Sequence, residues 1–330
     1  MPNDGCPYLT APGKRFISAL PLCPLSVTAA LSATSERHAL IYIGWRTEQK
    51  NATKKAVGLP NMSHSLDITE SAPAKNWRLV LAYDGSDFCG WQVQPDQPTI
   101  QGELSDAIER ITGERVLPQG SGRTDSGVHA LGQVASFRIG APIPPANLMR
   151  ALNRTLPESI RILEAEIAPP VFHARHSAIA KTYEYRIYRG EICPPTLARY
   201  AYALNWPLDL EAMRQAARHV LGEHDFSSFA ASDPDLSSRE TGQLEQNSIR
   251  SVHESLWTSE ADLWTYCATG NGFLHHMVRN LVGTFLEIGR GSLAADSIPE
   301  ILAARSRNAA GPTAPARGLF LVSVKYPQTF

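Results

Sequence analysis

Hydrophobic and polar positions become regular only well inside the chain. Apolar residues alternate with others over 77–83, which predicts a β-strand ending at the turn Asp84-Gly85. Isoleucine and leucine then recur at helical spacing over 100–111, which predicts an amphipathic helix. Thr99 is a suitable N-cap for that helix, and Gly113 is a suitable end.

The rest of the first half adds three strands and a second helix. A short strand begins at Val116, and the pattern predicts a strand over 133–139, a helix over 145–152 and a strand over 160–167. The resulting order, β-α-β-β-α-β, is that of the split βαβ, or ferredoxin-like, arrangement.

The second half repeats this order without repeating the sequence. Its predicted elements are strands over 181–188, 248–257, 263–268 and 319–326, and helices over 211–221, 273–288 and 297–305. We therefore predict an α+β protein with two ferredoxin-like halves, residues 75–170 and 171–330, whose antiparallel sheets are joined around a central cleft. Clefts between domains are favoured positions for substrate sites.

Residues 1–74 differ from the rest of the chain. Proline, serine, threonine and asparagine occur there at irregular spacing, and only 39–45 has the character of a strand. We expect this segment to be a disordered extension, or the product of a mis-called start if translation begins at Met62.

Composition narrows the class of protein without identifying it. The chain has 330 residues, 43% of them hydrophobic, and a net charge of -1, which favours a folded protein over a disordered one and argues mildly against a nucleic-acid partner. Of its basic residues 24 are Arg and 7 are Lys, and Arg suits phosphate binding and base stacking. Net charge and arginine content together therefore do not decide whether the protein binds nucleic acid.

Cysteine and hydropathy point to the cytoplasm. The five cysteines form no C-x-x-C pair, which argues against a zinc ribbon or a disulfide framework. No apolar run reaches the roughly 18 residues of a membrane span. Pro21 and Pro24 interrupt the apolar stretch near the N-terminus, so we predict no secretion signal.

The densest candidate for chemistry is the glycine-rich stretch 120–130. Its glycines permit tight turns and close approach of a ligand, and between them lie Arg123 and Asp125. A guanidinium next to a carboxylate suits a site that binds a phosphodiester and holds one ionised acid. The alternative is an ordinary turn braced by a structural Arg-Asp pair.

Other chemistries fit this sequence poorly. Asp125, Ser126 and His129 contain the residue types of a hydrolase triad, but no G-x-S-x-G elbow is present. Neither phosphate-binding glycine pattern, G-x-x-x-x-G-K-[ST] or G-x-G-x-x-G, fits. His275 and His276 are adjacent on a predicted helix, so their side chains should point in different directions, and we expect no metal site.

Seven motifs follow one another in order over about 77–326. They are Tyr83-Asp84-Gly85 with Gly90-Trp91-Gln92, Thr99-Ile100-Gln101, Gly122-Arg123-Thr124-Asp125 with Gly127-Val128-His129-Ala130, Phe172-His173-Ala174-Arg175, Lys181-Thr182-Tyr183-Glu184-Tyr185, His275-His276-Met277-Val278-Arg279-Asn280, and Thr313-Ala314-Pro315-Ala316 with Gly318-Leu319. Together these motifs resemble the tRNA pseudouridine synthase A family. One local departure is Ser126, where the family often has Ala.

The resemblance implies an enzyme that isomerises uridine to pseudouridine at positions 38, 39 and 40 of the tRNA anticodon stem-loop. It also implies no cofactor, no metal and a homodimer in which one tRNA contacts both subunits. Asp125 takes the position of the catalytic carboxylate, acting either as a nucleophile or as a base on the sugar. Arg123 would assist as the target base is flipped out of the stack, and its alternative role is a turn-bracing ion pair.

The same resemblance suggests three substrate-binding residues. Tyr183 would stack on the flipped uracil, with Tyr185 as a core residue on the same strand face. Arg279 would hold Asp125 ionised, or else bind RNA phosphate at the surface. Leu319 would form an apolar wall of the uracil pocket, or belong to the core.

Two rival readings belong to other classes. A non-catalytic RNA-binding protein would be expected to lack the Asp, and a hydrolase or transferase centred on Ser126 does not explain the collinear motifs. A pseudouridine synthase of different specificity is the nearest alternative. With so little net charge, RNA binding would depend on a local stripe of arginines, for which we predict Arg78, Arg123, Arg175, Arg186 and Arg279.

Overall fold

The computed structural model describes residues 73–231 and 248–329. The predicted N-terminal extension, including the strand over 39–45 and the start at Met62, lies outside these residues. No helix in the described part of the chain is long and apolar enough to cross a membrane.

The first half follows the predicted order closely. Its elements are β1 (Lys75–Tyr83), α1 (Ile100–Thr112), β2 (Gln119–Gly120), β3 (His129–Ile139), α2 (Pro145–Thr155) and β4 (Ile160–Ile167). The strand predicted from Val116 is shorter and begins later than expected, and β3 begins four residues before the predicted strand. Residues at its start pair with the tail of the chain, a contact that no local pattern reveals.

The second half contains more elements than predicted. They are β5 (Ala180–Tyr188), α3 (Pro195–Ala198), β6 (Tyr202–Ala203), α4 (Leu210–Arg218), β7 (Gly222–Asp225), β8 (Ile249–Glu260), β9 (Leu263–Gly270), α5 (Met277–Gly289), α6 (Ile298–Ala304) and β10 (Leu319–Lys325). The short elements α3, β6 and β7 were not predicted because two to four residues carry too little periodicity.

Local chemistry explains where the clearest elements begin and end. The Thr99 side chain accepts a hydrogen bond from the Gly102 amide, and Gly113 ends α1 in the left-handed region at φ 74°. Along β1, Trp77, Leu79 and Leu81 are fully buried and the residues between them are more exposed. The alternation in the sequence therefore marks the face of this strand that meets the core.

The described strands form one mostly antiparallel sheet. Its order is β4-β1-β3-β10-β5-β9-β8-β7, with β2 pairing with β3 and β6 with β5. The last strand, β10, lies between the two halves: it pairs with β3 in parallel at Phe320 and Leu321, and with β5 in antiparallel along its length. The prediction of an α+β protein with antiparallel pairing is confirmed at this level.

Helix α5 is buried on nearly every side and begins later than predicted. The pattern indicated a start at Phe273, but His276 adopts φ 60°, in the left-handed region, so the helix begins at Met277. On its other side the loop around Pro312 approaches closely, since a Cβ at Gly283 would lie 1.6 Å from the Pro312 carbonyl oxygen. This glycine allows the loop to dock on the helix.

Candidate active site

Asp125 lies on the loop 121–128, between β2 and β3. The loop is anchored at both ends, because the Ser121 amide donates to the Val134 carbonyl at 2.7 Å and the Gly127 amide donates to the Phe88 carbonyl at 3.4 Å. A turn within the loop is closed by the Val128 amide, which donates to the Asp125 carbonyl at 3.1 Å. Gly127, at φ 77°, supplies the left-handed residue that the turn requires.

Thr124, the residue before Asp125, is held in place through both its backbone and its side chain. Its carbonyl accepts from the Trp91 amide at 3.0 Å, and its hydroxyl is 2.8 Å from the Tyr83 hydroxyl. A side chain at Gly90 would collide with the Thr124 carbonyl, whose oxygen lies 2.6 Å from the Cβ position. The motifs that contain Tyr83 and Gly90 therefore position the loop 121–128.

Three side chains from one segment surround the Asp125 carboxylate. Arg279 donates from Nη1 to Asp125 Oδ2 at 2.8 Å. His276 Nε2 is 3.3 Å from the same oxygen, and His275 Nε2 is 3.5 Å from Oδ1. Asp125, with 20% of its side chain exposed, is therefore partly open on its remaining side.

This environment favours the ionised form of Asp125. Burial by itself would raise the pKa of the carboxyl, but the hydrogen bond from His275 and the charges of His276 and Arg279 outweigh it and hold the pKa below its ordinary value. Burial also lowers the pKa of His276, although the Asp125 charge opposes that effect. At neutral pH the site thus contains a carboxylate anion.

Arg279 is oriented by the loop that docks on α5. Its Nε donates to the Ala314 carbonyl at 2.8 Å, and the Ala314 amide donates back to the Arg279 carbonyl at 3.1 Å. The guanidinium is 15% exposed and so has little freedom to leave Asp125. The predicted contact between Arg279 and Asp125 is thus present, and its role in catalysis stays a prediction.

The expectation that His275 and His276 point in different directions is wrong. Their rings lie 4.0 Å apart, and both Nε2 atoms face Asp125. Adjacent residues inside a helix differ in direction by about 100°, but this pair precedes Met277 and the left-handed His276 turns the chain. The ligand atoms of Asp125, His275 and His276 all lie within 4.8 Å of one another, so these three residues are able to hold a metal ion.

Tyr183 and Tyr185 occupy different surroundings on β5. Tyr183 is 8% exposed and contacts the Phe273 ring edge to face at 5.1 Å. Burial raises its pKa, and the charge of Asp125 is near enough to contribute. Tyr185 is fully buried and donates its hydroxyl to the Pro315 carbonyl at 2.8 Å, as a core residue would. Leu319 is 6% exposed and pairs with Tyr185 across the strands.

The predicted arginine stripe is only partly exposed. Arg78 is paired with Glu164 and Glu166, Arg186 is paired with Glu184, and Arg279 is paired with Asp125. Arg123, on the loop 121–128, and Arg175 are exposed. These two remain the members of the stripe best placed to meet RNA.

Sequence reasoning missed Lys181 as a residue of the site. Its Nζ donates to the Ser121 carbonyl at 2.7 Å and so connects β5 to the loop 121–128. Burial, with the charges of Arg175 and Arg250, lowers the pKa of Lys181 to about 8. A signal was available, because Lys181 lies two residues before Tyr183 and so shares its side of the strand.

Comparison with known proteins shows the family to which the chain is similar. A family model described as tRNA pseudouridine synthase matches residues 79–177 and 216–327. A tRNA pseudouridine synthase A of Solibacter usitatus is 50% identical over 250 residues, covering 76% of this chain and 98% of the relative. A protein of the same name from Moorella thermoacetica is 46% identical over 251 residues, which cover 76% of this chain and 98% of the relative. Another, from Brevibacillus brevis, is 44% identical over 253 residues, which cover 76% of this chain and 100% of the relative.

Proposed function

The chain belongs to the tRNA pseudouridine synthase family, and from this we infer that it isomerises uridine to pseudouridine in tRNA through the carboxylate of Asp125. The observation that carries the role of Asp125 is its contact with Arg279 and the histidine pair, which keeps a partly buried acid ionised. A non-catalytic RNA-binding protein would have no need of that arrangement.

The reaction rearranges atoms without adding or removing any. The bond from uracil N1 to the sugar C1′ breaks, the base turns, and C5 joins C1′. C5 then loses its proton and N1 gains one. An ionised Asp125 would serve either as a nucleophile at C1′ or as a base on the sugar, and both routes require the charge that Arg279 and the histidines maintain.

Neighbouring residues provide the binding steps. The target uridine must leave the stack before Asp125 can reach it. We propose that Tyr183 stacks on the flipped base, that Leu319 forms an apolar wall of its pocket, and that Arg123 holds a flanking phosphate or the vacated space. Support comes from the position of Arg123 on the loop of Asp125, and from the proximity of Tyr183 to that carboxylate.

Positions 38, 39 and 40 of the anticodon stem-loop are the proposed targets. The collinear motifs support this choice, the names of the relatives support a tRNA substrate, and a different tRNA uridine is the alternative. We further propose that the reaction needs neither cofactor nor metal, that the enzyme is a homodimer, and that it works in the cytoplasm where tRNA is found.

We also propose that residues 75–170 and 171–330 are two ferredoxin-like domains joined around an RNA-binding cleft. In the first, β4-β1-β3 with β2 beside β3 matches the strand order of that arrangement. In the second, β10-β5-β9-β8 matches it again. Asp125 belongs to the first and Arg279 to the second, so the site would depend on both.

Tritium release tests this function directly. Wild-type enzyme should release tritium from tRNA transcript carrying 5-tritiated uridine, because C5 loses its hydrogen when the new bond forms. Asp125→Asn should release none while still binding tRNA, since the amide keeps the shape and removes the charge. Chemical mapping of the product should place pseudouridine at 38–40. Binding without release by the wild type would contradict the proposed activity.

A further inference from the structure

The Asp125 carboxylate and the two imidazoles next to it have the chemistry of a transition-metal site. Histidine nitrogen and carboxylate oxygen are ligands that Zn²⁺ accepts, and three protein ligands with one open position are common for this ion. Among residues 73–231 and 248–329, these three side chains form a group of potential metal ligands whose ligand atoms all lie within 4.8 Å of one another.

The separations are close to those that one metal ion needs. With metal–ligand distances of 2.0–2.1 Å, ligands in a tetrahedral site lie about 3.4 Å apart. The observed separations are 3.3 Å between His276 Nε2 and Asp125 Oδ2, and 3.5 Å between His275 Nε2 and Asp125 Oδ1. Because these contacts are to different oxygens, the side chains would have to rotate until both nitrogens and one carboxylate oxygen surround a common centre.

Arg279 does not remove the carboxylate from use as a ligand. Its hydrogen bond is to Oδ2, at 2.8 Å, so Oδ1 retains lone pairs for an ion. A carboxylate that binds metal through one oxygen and a donor through the other is a common outer-shell arrangement. The positive charge of Arg279 would weaken binding, which favours a reversible site over a permanent one.

We propose that Asp125, His275 and His276 form a reversible Zn²⁺ site, and that Zn²⁺ bound there inhibits the enzyme by occupying its catalytic carboxylate. Asp125 is 20% exposed, and the substrate must reach the carboxylate through that exposed part, so a bound ion would stand in its way. Zinc and tRNA would therefore compete. The inhibition rests on the proposed function of Asp125, whereas metal binding itself does not.

Direct binding should be measured first, on the full chain without an affinity tag, because added histidines bind the same metals. Titration with Zn²⁺ should give one bound ion per chain, and Co²⁺ should give the intense visible bands of a tetrahedral site. His275→Asn, His276→Asn and Asp125→Asn should each weaken metal binding by about tenfold or more. His176→Asn is the matched control, since His173 and His176 form a second histidine pair with rings 4.3 Å apart.

Enzyme activity should then fall as Zn²⁺ fills the proposed site. Zn²⁺ should suppress tritium release by the wild type over the concentration range in which it binds, EDTA should restore it, and more tRNA should raise the zinc needed. Binding unchanged in all three ligand variants, or lost in His176→Asn, would overturn the site. Zinc inhibition without zinc on the protein would place the metal on the RNA and overturn the proposal. Metal-free wild type without activity would instead contradict the proposed function.

Discussion

Asp125 keeps a negative charge although most of its side chain is removed from water. Desolvation favours the neutral acid, and the donors around the carboxylate reverse that preference. Because its pKa in the folded protein is lowered, its contribution to stability is present above the pKa of the unfolded chain and is lost as pH falls through the folded value. The same ionisation governs the proposed reaction.

Removing Arg279, which makes the shortest contact with the carboxylate at 2.8 Å, should change the pH dependence of the reaction. In Arg279→Gln the pKa of Asp125 rises, so the acid limb of the kcat profile should move to higher pH, and kcat should fall by about 10²-fold. Arg279→Lys keeps the positive charge but lacks the guanidinium that also reaches Ala314. Its kcat and its acid limb should lie between those of the wild type and Arg279→Gln. A uniform loss with an unmoved acid limb would contradict the role given to Arg279.

The ring of Tyr183, and not its hydroxyl, should matter if it stacks on the flipped base. Tyr183→Phe should then stay close to wild type in kcat/KM for tRNA. Tyr183→Leu should lose about 1–3 kcal/mol, a factor of about 5–150. Melting temperatures would separate this effect from damage to β5, and an equally large loss in Tyr183→Phe would assign the role to the hydroxyl.

At the scale of elements, the packing of one loop on α5 controls the position of Arg279. The loop passes so close to the helix that Gly283 has no room for a side chain, and its Ala314 carbonyl holds the guanidinium. Backbone contacts of this kind transmit small displacements directly to the site.

Gly283→Ala should displace that loop and disturb the active site. We expect a loss of about 1–3 kcal/mol in unfolding free energy together with reduced kcat, measured by denaturant titration and tritium release. The control is Gly291→Ala, beyond the end of the same helix, where φ is 79° and no atom lies within 4 Å of a new Cβ. It should cost about 1–2 kcal/mol of stability through backbone strain and leave kcat unchanged.

At the scale of the whole molecule, a protein with a net charge of -1 must bind a polyanion through local charge. Three of the five arginines predicted to contact RNA are paired with carboxylates of the protein itself. Arg123 and Arg175 are the exposed members of that set, and Arg123 lies on the loop that carries Asp125.

The salt dependence of tRNA binding should reveal these contacts. Arg175→Gln should weaken binding and reduce the slope of log K against log salt concentration by about 1, because one phosphate contact is lost. Arg115→Gln is the control, since Arg115 is 77% exposed and paired with Glu109 on α1. An equal change in both variants would indicate a general charge effect and contradict a specific stripe.

Patterns within about fifteen residues predicted most of the fold. Alternation gave β1, β4 and β5 nearly to the residue, and the capping residues Thr99 and Gly113 gave α1, because period and cap chemistry are local properties. Elements of two to four residues carried no such signal. The late start of α5 was missed because a left-handed histidine is set by surrounding contacts.

What the sequence determined by itself was the longer helices and strands, the family resemblance, and Asp125 as the residue on which the proposed chemistry would depend. Only the tertiary structure decided which groups surround it. Arg279 and Asp125 are 154 positions apart, and they meet because β10 joins the two halves of the sheet and a loop docks on α5. The histidine pair and Lys181 reach the site through the same long-range packing. Such contacts depend on strand order and close packing between distant segments, which no local period encodes.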